Sequence, residues 1–365
     1  MSSPYIPFSQ RPSWSDVTPI AQDDGIAAPA SIRYSPIYEE TFSYLRAVLA
    51  SGETSARVFS LTGEAVELNA SHYTAWALRR NSLFAAADAV SGGGGGVEFV
   101  TKIIAEAVWT AELVERKGTW KNYQVWHHRR LLATAAVTAI DALNDSRIII
   151  GEDMKQTIGD GERTFCSSAF EDDVKNYHAW AHRQWVARIL PANASGGQDA
   201  GWAAEATFAA DALKEDIRNN SAWNHRWFAL TKGGGLVSAL PIHQVPPRSV
   251  IDEEIRLVLS ALSITPLNES AWTHARALAQ AALLLGRGSS NNGGGEGGIW
   301  AAVPIFLAAA HTAAATGDNA FALEVVAEAA EDASDNTSAI KAYTMAGQAD
   351  PTRLAYWTWR SSQIR

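Results

Sequence analysis

No stretch of the chain alternates apolar and polar residues, with β-branched side chains, for long enough to make a strand. Apolar positions fall instead in longer segments rich in Ala, Leu and Glu. Examples are VEFVTKIIAEAVWTAELVER over 97–116 and EEIRLVLSALSI over 253–264, which read as helices. Between such segments recur short blocks centred on tryptophan: LNASHYTAWALRR (68–80), WKNYQVWHHRR (120–130), KNYHAWAHRQW (175–185), RNNSAWNHRW (218–227) and LNESAWTHAR (267–276). A sixth, weaker block is DPTRLAYWTWR (350–360). The central tryptophans Trp76, Trp126, Trp180, Trp223, Trp272 and Trp357 lie 50, 54, 43, 49 and 85 positions apart. A period of this order marks stacked supersecondary units, each too small to bury its apolar face alone. The pattern predicts an all-α fold in which each repeat is a helical hairpin and the whole is a right-handed α–α superhelix, or solenoid.

Each block carries helix signals. An Asn or Asp (Asn69, Asn122, Asn176, Asn220, Asn268, Asp350) precedes each tryptophan, where an N-cap would satisfy orphan backbone N–H groups. Pro351, directly after Asp350, suits a first helical position. Arg79, Arg129, Arg183, Arg226 and Arg360 follow their tryptophans by three residues and Arg276 follows Trp272 by four, so each pair shares a helical face. The tryptophans are expected to fill the inter-helix core and the arginines to tie down a carboxylate or a helix end.

Two kinds of segment stand apart from the repeats. Residues 1–33, with prolines at 4, 7, 12, 19 and 29, read as an extended N-terminal arm without a core of its own, and 34–365 as the helical repeats. Glycine-rich runs at 91–96, 194–197, 232–235 and 286–298 lack the preceding strand and fixed glycine order of phosphate-binding loops, so they read as inter-helix loops.

Composition narrows the function classes. The 365 residues are 47% hydrophobic and 19% charged, the signature of a globular chain. The net charge is −9 and no Lys/Arg block occurs, which disfavours a nucleic-acid surface. The single cysteine, Cys166, allows no intrachain disulfide and points to a reducing compartment. With no h-region and no run of 18 uncharged apolar residues, the chain is expected to be cytoplasmic, without membrane insertion. There is no GxSxG, no HExxH and no cysteine cluster. His178 and His182 could form half a metal site, but His182 occupies the repeat position of His128 and His225 and reads as structural, so no metal is expected in this chain.

The chemistry shows where the repeats differ. Lys121-Asn122-Tyr123-Gln124 and Lys175-Asn176-Tyr177-His178 carry donors where the fourth and fifth blocks have Asn, Ser and Glu. Helix starts on consecutive hairpins lie side by side along one edge of a solenoid. Lysine, two tyrosine hydroxyls and a histidine there suit an anion such as a diphosphate, helped by the helix N-termini. The alternative is that these residues only cap and pack, a reading that applies most to Lys175 and Asn122.

These KNYxxWxHR-type blocks resemble the repeats of protein prenyltransferase α subunits, above all the α subunit shared by protein farnesyltransferase and protein geranylgeranyltransferase type I. The resemblance runs through WSDVTPIAQDDG, YLRAVLASGETSARVFSLTGEAVELNASHYTAW, KNYQVWHHRR, KNYHAWAHRQWV, RNNSAWNHRW and PLNESAW, and is least after about residue 286. It implies a crescent of hairpins around a separate β subunit that holds the catalytic Zn2+ and most of the isoprenoid pocket. It also implies transfer of farnesyl or geranylgeranyl from its diphosphate, with Mg2+, to the cysteine of a C-terminal CaaX motif. By the same resemblance Lys121 is a diphosphate contact, Tyr177 and His178 are its hydrogen-bonding partners, and Tyr123 lies beside the reacting centre. Gln124 binds the CaaX carboxylate, Tyr73 lies on the peptide side, and Asn176 lies near the diphosphate. His72 and Ala77 stand where the family pattern has Asn and His, a departure on the peptide side of the first repeat. Two alternatives remain. A Rab-type geranylgeranyltransferase α subunit normally carries a strand-rich insertion and leucine-rich repeats, which are not visible here. A non-catalytic peptide-binding scaffold of tetratricopeptide type would show a shorter period.

Overall fold

A computed structural model describes residues 5–23, 25, 30, 32–88, 95–143, 148–190, 198–234, 241, 244–289 and 298–364. Most of the glycine-rich runs expected as loops lie outside these residues. Residues 95–96 and 286–289 are instead helical ends, because glycine at a helix terminus leaves few hydrogen bonds to lose. No strand occurs among the described residues. The chain is all-α and divides into two compact units, Met1–Leu190 and Pro191–Arg365.

The first unit holds α1 (Pro36–Ser51), α2 (Ala56–Leu68), α3 (Tyr73–Asp88), α4 (Gly95–Lys117), α5 (Tyr123–Asp141), α6 (Ile148–Asp172) and α7 (Tyr177–Ile189). Helices α2–α3, α4–α5 and α6–α7 pair as hairpins, and α3, α5 and α7 pack in succession. The cause is visible in α2, which buries Val58, Leu61, Thr62, Ala65 and Val66, an i, i+3, i+4, i+7, i+8 stripe along one face. Each such aliphatic side chain contributes about 1.5–3 kcal/mol on leaving water. The second unit repeats the device in α8 (Gln198–Glu215), α9 (Asn220–Leu230), α10 (Arg248–Ile264), α11 (Glu269–Ser289), α12 (Pro304–Ala314), α13 (Ala320–Asp332), α14 (Asn336–Ala349) and α15 (Leu354–Ser362).

Within residues 1–33 the described part is not simply extended. Short 3₁₀ turns at Phe8–Gln10 and Pro12–Trp14 bury Phe8 and Trp14 against Tyr44 of α1, with ring centroids 5.2 and 5.5 Å away. Arg11 then forks onto Glu64 at 2.6 and 2.9 Å, and Arg57 onto Asp16 at 2.6 and 3.0 Å. The segment borrows the core of α1 and α2.

Each tryptophan serves the repeat with both its face and its N–H. Nε1 of Trp76, Trp126, Trp180, Trp223 and Trp272 donates to the carbonyl six residues earlier, at 2.7–2.9 Å. Three of these carbonyls also accept from the cap asparagine of the next repeat: Trp120 from Asn176 (3.2 Å), Ile217 from Asn268 (2.8 Å) and Pro266 from Asn319 (3.1 Å). The cap sits four residues before the tryptophan. Asn122, Asn176 and Asn268 fill it as expected. In the fourth repeat the cap is Asn219, not Asn220, and in the first it is His72, whose Nδ1 accepts from Ala75 N at 3.2 Å. Asn69 instead closes the preceding turn. The sixth repeat is also displaced. It is capped by Asn319 with Leu323 in the tryptophan position, while Asp350 makes no side-chain cap bond.

The arginines and histidines meet on buried glutamates. Glu106 accepts from Arg79 (2.5 and 2.7 Å) and faces His128 Nε2 at 2.9 Å, and Glu162 likewise joins Arg129 (2.8 and 3.0 Å) and His182 (2.7 Å). In the second unit Glu254 takes Arg226 and His274, and Glu205 takes His225. His182 is therefore structural, as its repeat position suggested. Glu106, Glu162 and Glu254 each join the arginine of one tryptophan helix to the histidine of the next, so these charges are compensated inside the core.

Candidate active site

Helices α3, α5 and α7 begin at Tyr73, Tyr123 and Tyr177, each three residues before a buried tryptophan. Three residues is most of a turn, yet the first helical residue has no preceding turn to pack on, so the ring projects past the helix end. The three tyrosines are 71%, 72% and 74% exposed. Because the three helices pack in succession, their N-termini form one edge of the first unit. The row expected from the sequence is thus assembled there.

On that edge the second and third repeats interlock. The Tyr123 ring stands perpendicular to the His178 ring at 4.3 Å between centroids, and Tyr177 flanks the same imidazole at 5.6 Å. Burial holds the His178 pKa below the ordinary histidine value, so the ring is neutral at pH 7 and one nitrogen carries a donor N–H. Its backbone N–H is fixed by Asn176 Oδ1 at 3.0 Å. Gln124 lies half-buried one residue into α5, with its backbone N–H on Asn122 Oδ1 at 2.9 Å.

Lys121 is exposed, and its Nζ is 2.9 Å from Asp173 Oδ2. The hydrogen bond that Lys121 donates to Asp173 raises the lysine pKa above its usual value, so the group is a cation at neutral pH. Asp173 was not singled out by the sequence reading. The signal that finds it is the Asn or Asp seven residues before the tryptophan at Asn69, Asp173 and Asp216, each closing the same turn through its side chain.

Asn176 belongs to the scaffold. It is 2% exposed, with Oδ1 on the N–H groups of His178 and Ala179 and Nδ2 on the Trp120 carbonyl. Both ends of its amide are thus engaged by the scaffold.

No three His, Cys, Asp or Glu side chains gather as metal ligands among the described residues, and Cys166 is buried. Among the described residues, the buried histidines His128, His182 and His225 are each held by a glutamate. No helix among the described residues is long and apolar enough to cross a membrane. What the edge offers is a cation, phenol hydroxyls and an imidazole N–H at helix N-termini, an array for oxygen-rich anions.

Comparison with known proteins points the same way. The family model described as "Protein prenyltransferase alpha subunit repeat" matches residues 160–190, 202–233 and 251–282. The "Protein farnesyltransferase/geranylgeranyltransferase type-1 subunit alpha" of Dictyostelium discoideum is 48% identical over 79 residues, 22% of this chain and 24% of that protein. Its namesake in Schizosaccharomyces pombe is 39% identical over 114 residues, 31% of this chain and 34% of that one. The chain spans about a quarter to a third of the length of the curated relatives it matches. Among solved structures, "Candida albicans protein geranylgeranyltransferase-I complexed with GGPP" superposes with a TM-score of 0.66 at 22% identity. That match covers 96% of this chain and 98% of the other, and it shows the helical-repeat fold.

Proposed function

We propose that this chain, built on protein prenyltransferase α-subunit repeats, is the α subunit of a heterodimeric protein prenyltransferase. With a separate β subunit it transfers farnesyl or geranylgeranyl from its diphosphate to the cysteine thiol of a CaaX C-terminus. The observation that carries the reading is the edge on which Tyr123 packs on His178 beside Tyr177, with Lys121 paired to Asp173 four residues before Tyr177. The resemblance of those two blocks to the family's repeats is what favours a diphosphate as the ligand of that edge.

As the bond between isoprenoid C1 and the diphosphate oxygen breaks, negative charge builds on the leaving group. Lys121 neutralises part of it, and the Tyr177 hydroxyl and the neutral His178 N–H donate to it. Tyr123, packed on His178, borders the carbon at which positive charge develops. Gln124, at the start of α5, takes the peptide's terminal carboxylate, and Tyr73 lies on the peptide side. Zn2+ on the β subunit, when bound, would lower the pKa of the peptide cysteine and hold it as a thiolate, and Mg2+ would accompany the diphosphate. The cytoplasm is the compartment that fits a chain with one buried cysteine.

The test is transfer of labelled farnesyl to a CaaX peptide by this chain alone and with a co-expressed β subunit, with and without zinc chelation. Activity confined to the zinc-loaded pair is expected. A stable lone chain with no activity in any pairing would reject the assignment in favour of a scaffold.

A further inference from the structure

The ion pair between Lys121 and Asp173 joins two repeats at the candidate site, and the two partners are held very differently. Asp173 is fixed by three bonds of its own turn. Its N–H donates to the Ala169 carbonyl at 3.0 Å, its carbonyl accepts from Asn176 N at 2.9 Å, and its Oδ1 accepts from Lys175 N at 2.9 Å. Oδ2 then faces Lys121 Nζ at 2.9 Å. The same turn recurs in other repeats: Asn69 Oδ1 accepts from Ser71 N at 3.1 Å, and Asp216 Oδ1 from Arg218 N at 2.9 Å. The turn is thus a property of the repeat, and at Asp173 it holds a carboxylate against a lysine from the preceding repeat. Lys121, by contrast, stands on an exposed four-carbon stem that would otherwise sample many rotamers.

We propose that Asp173 is a positioning residue: its turn-fixed carboxylate draws the Lys121 ammonium from the second repeat to the N-terminus of α7, beside Tyr177 and His178, so that the donors for a diphosphate stand assembled before it arrives. The proposal rests on the reading of Lys121 given above. Asp173 lies four residues before Tyr177 and closes the turn that leads into the Asn176 cap, so the pairing pulls Lys121 toward the start of α7. A diphosphate oxygen then meets an ammonium already oriented, with one rotamer to keep rather than one to select. An exposed ion pair contributes little to folding, and asparagine at 173 keeps the Oδ1 acceptor for Lys175 N–H. Asp173→Asn therefore removes the charge while leaving the turn in place.

The experiment uses the co-expressed heterodimer in single-turnover farnesyl transfer, as wild type, Asp173→Asn, Lys121→Ala and the double variant. Asp173→Asn is expected to slow transfer about three- to tenfold in the wild-type background and to have no further effect on Lys121→Ala. A rate at or above wild type for Asp173→Asn, or an equal slowing in both backgrounds, would overturn the positioning role while Lys121→Ala remained slow. A wild-type rate for Lys121→Ala would instead overturn the reading of Lys121, and this proposal with it. A readout independent of catalysis is acylation of Lys121 by acetic anhydride in the substrate-free heterodimer, followed by mass spectrometry. Asp173→Asn should speed it severalfold, and an unchanged rate would overturn the pairing.

Discussion

The buried side-chain amide of Asn176 donates to the backbone carbonyl of Trp120 at 3.2 Å, the acceptor that Trp126 Nε1 reaches at 2.8 Å. Two hairpins are thereby tied through one oxygen. The other end of the same amide caps α7. Asn176→Ala removes a cap and a buried inter-repeat hydrogen bond together, a loss of about 2–3 kcal/mol. Asn122→Ala, whose Nδ2 reaches only the exposed Ser71 hydroxyl, should cost about half as much. Thermal unfolding of the assembled protein checks the order, and equal losses would deny the inter-repeat bond its weight.

The buried glutamates supply a larger effect. Glu162, Arg129 and His182 are all nearly inaccessible, and among the described residues Glu162 is the carboxylate that meets both partners. Glu162→Gln leaves the guanidinium buried without a counter-charge, which costs about 3–5 kcal/mol. Reduced yield of folded protein and a strongly lowered melting temperature are expected. Asp211→Asn, which breaks the exposed pair with Lys214, should leave the melting curve where it was.

At the candidate site, the reading separates two substrates. Lys121→Ala should lower the single-turnover rate by roughly one to two orders of magnitude, the scale of losing one donor to developing charge, with the heterodimer intact. Gln124→Ala should mainly weaken CaaX peptide binding and leave the rate at saturating peptide close to wild type. Fluorescence titration of peptide and rapid-quench transfer measure the two separately, and an unchanged peptide affinity would remove Gln124 from its role.

How much of this was legible in the sequence depended on whether a feature has a residue type of its own. The tryptophan period gave the hairpins, and the arginines at fixed offsets pointed to a carboxylate or a helix end, because large aromatics and buried charges have few other uses. The sixth repeat escaped because Leu323 fills the tryptophan position, and aliphatic residues are too common to mark a period. Trp357, which carries the block at 350–360, leaves its buried Nε1 without a partner, unlike the five repeat tryptophans. Nearby, Trp300 Nε1 donates to Glu328, the carboxylate that also receives Arg276. The cap of the fourth repeat was misplaced by one residue because Asn219 and Asn220 are adjacent and either could start the helix. Asp173 was missed because the spacing to its tryptophan marks only its turn, and the pairing with a lysine of another repeat lies outside any local pattern.

The same buried triads set how the protein responds to acid. Burial, the largest influence on His128, pushes its imidazole down to about 4 against the pull of Glu106, so it is neutral in the fold. Burial pushes the Glu162 carboxyl upward, but Arg129 and His182 outweigh it and hold the group at about 2. Both folded values lie below the unfolded ones, about 6.5 for His and 4.3 for Glu. Between the two values of each group the unfolded chain binds more protons, so stability falls as pH falls. The His128 contribution is complete above pH 6.5 and is lost toward pH 4, and the Glu162 contribution follows from about 4.3 toward 2. The melting temperature of the assembled protein should therefore decline steadily from pH 7 to pH 4, ahead of any titration of ordinary surface carboxylates. His128→Gln should flatten the upper part of that decline, since a glutamine amide can donate to Glu106 but takes up no proton on unfolding. A melting temperature independent of pH between 6.5 and 5 would show that His128 takes up its proton alike in the folded and unfolded chains, against a neutral ring in the fold.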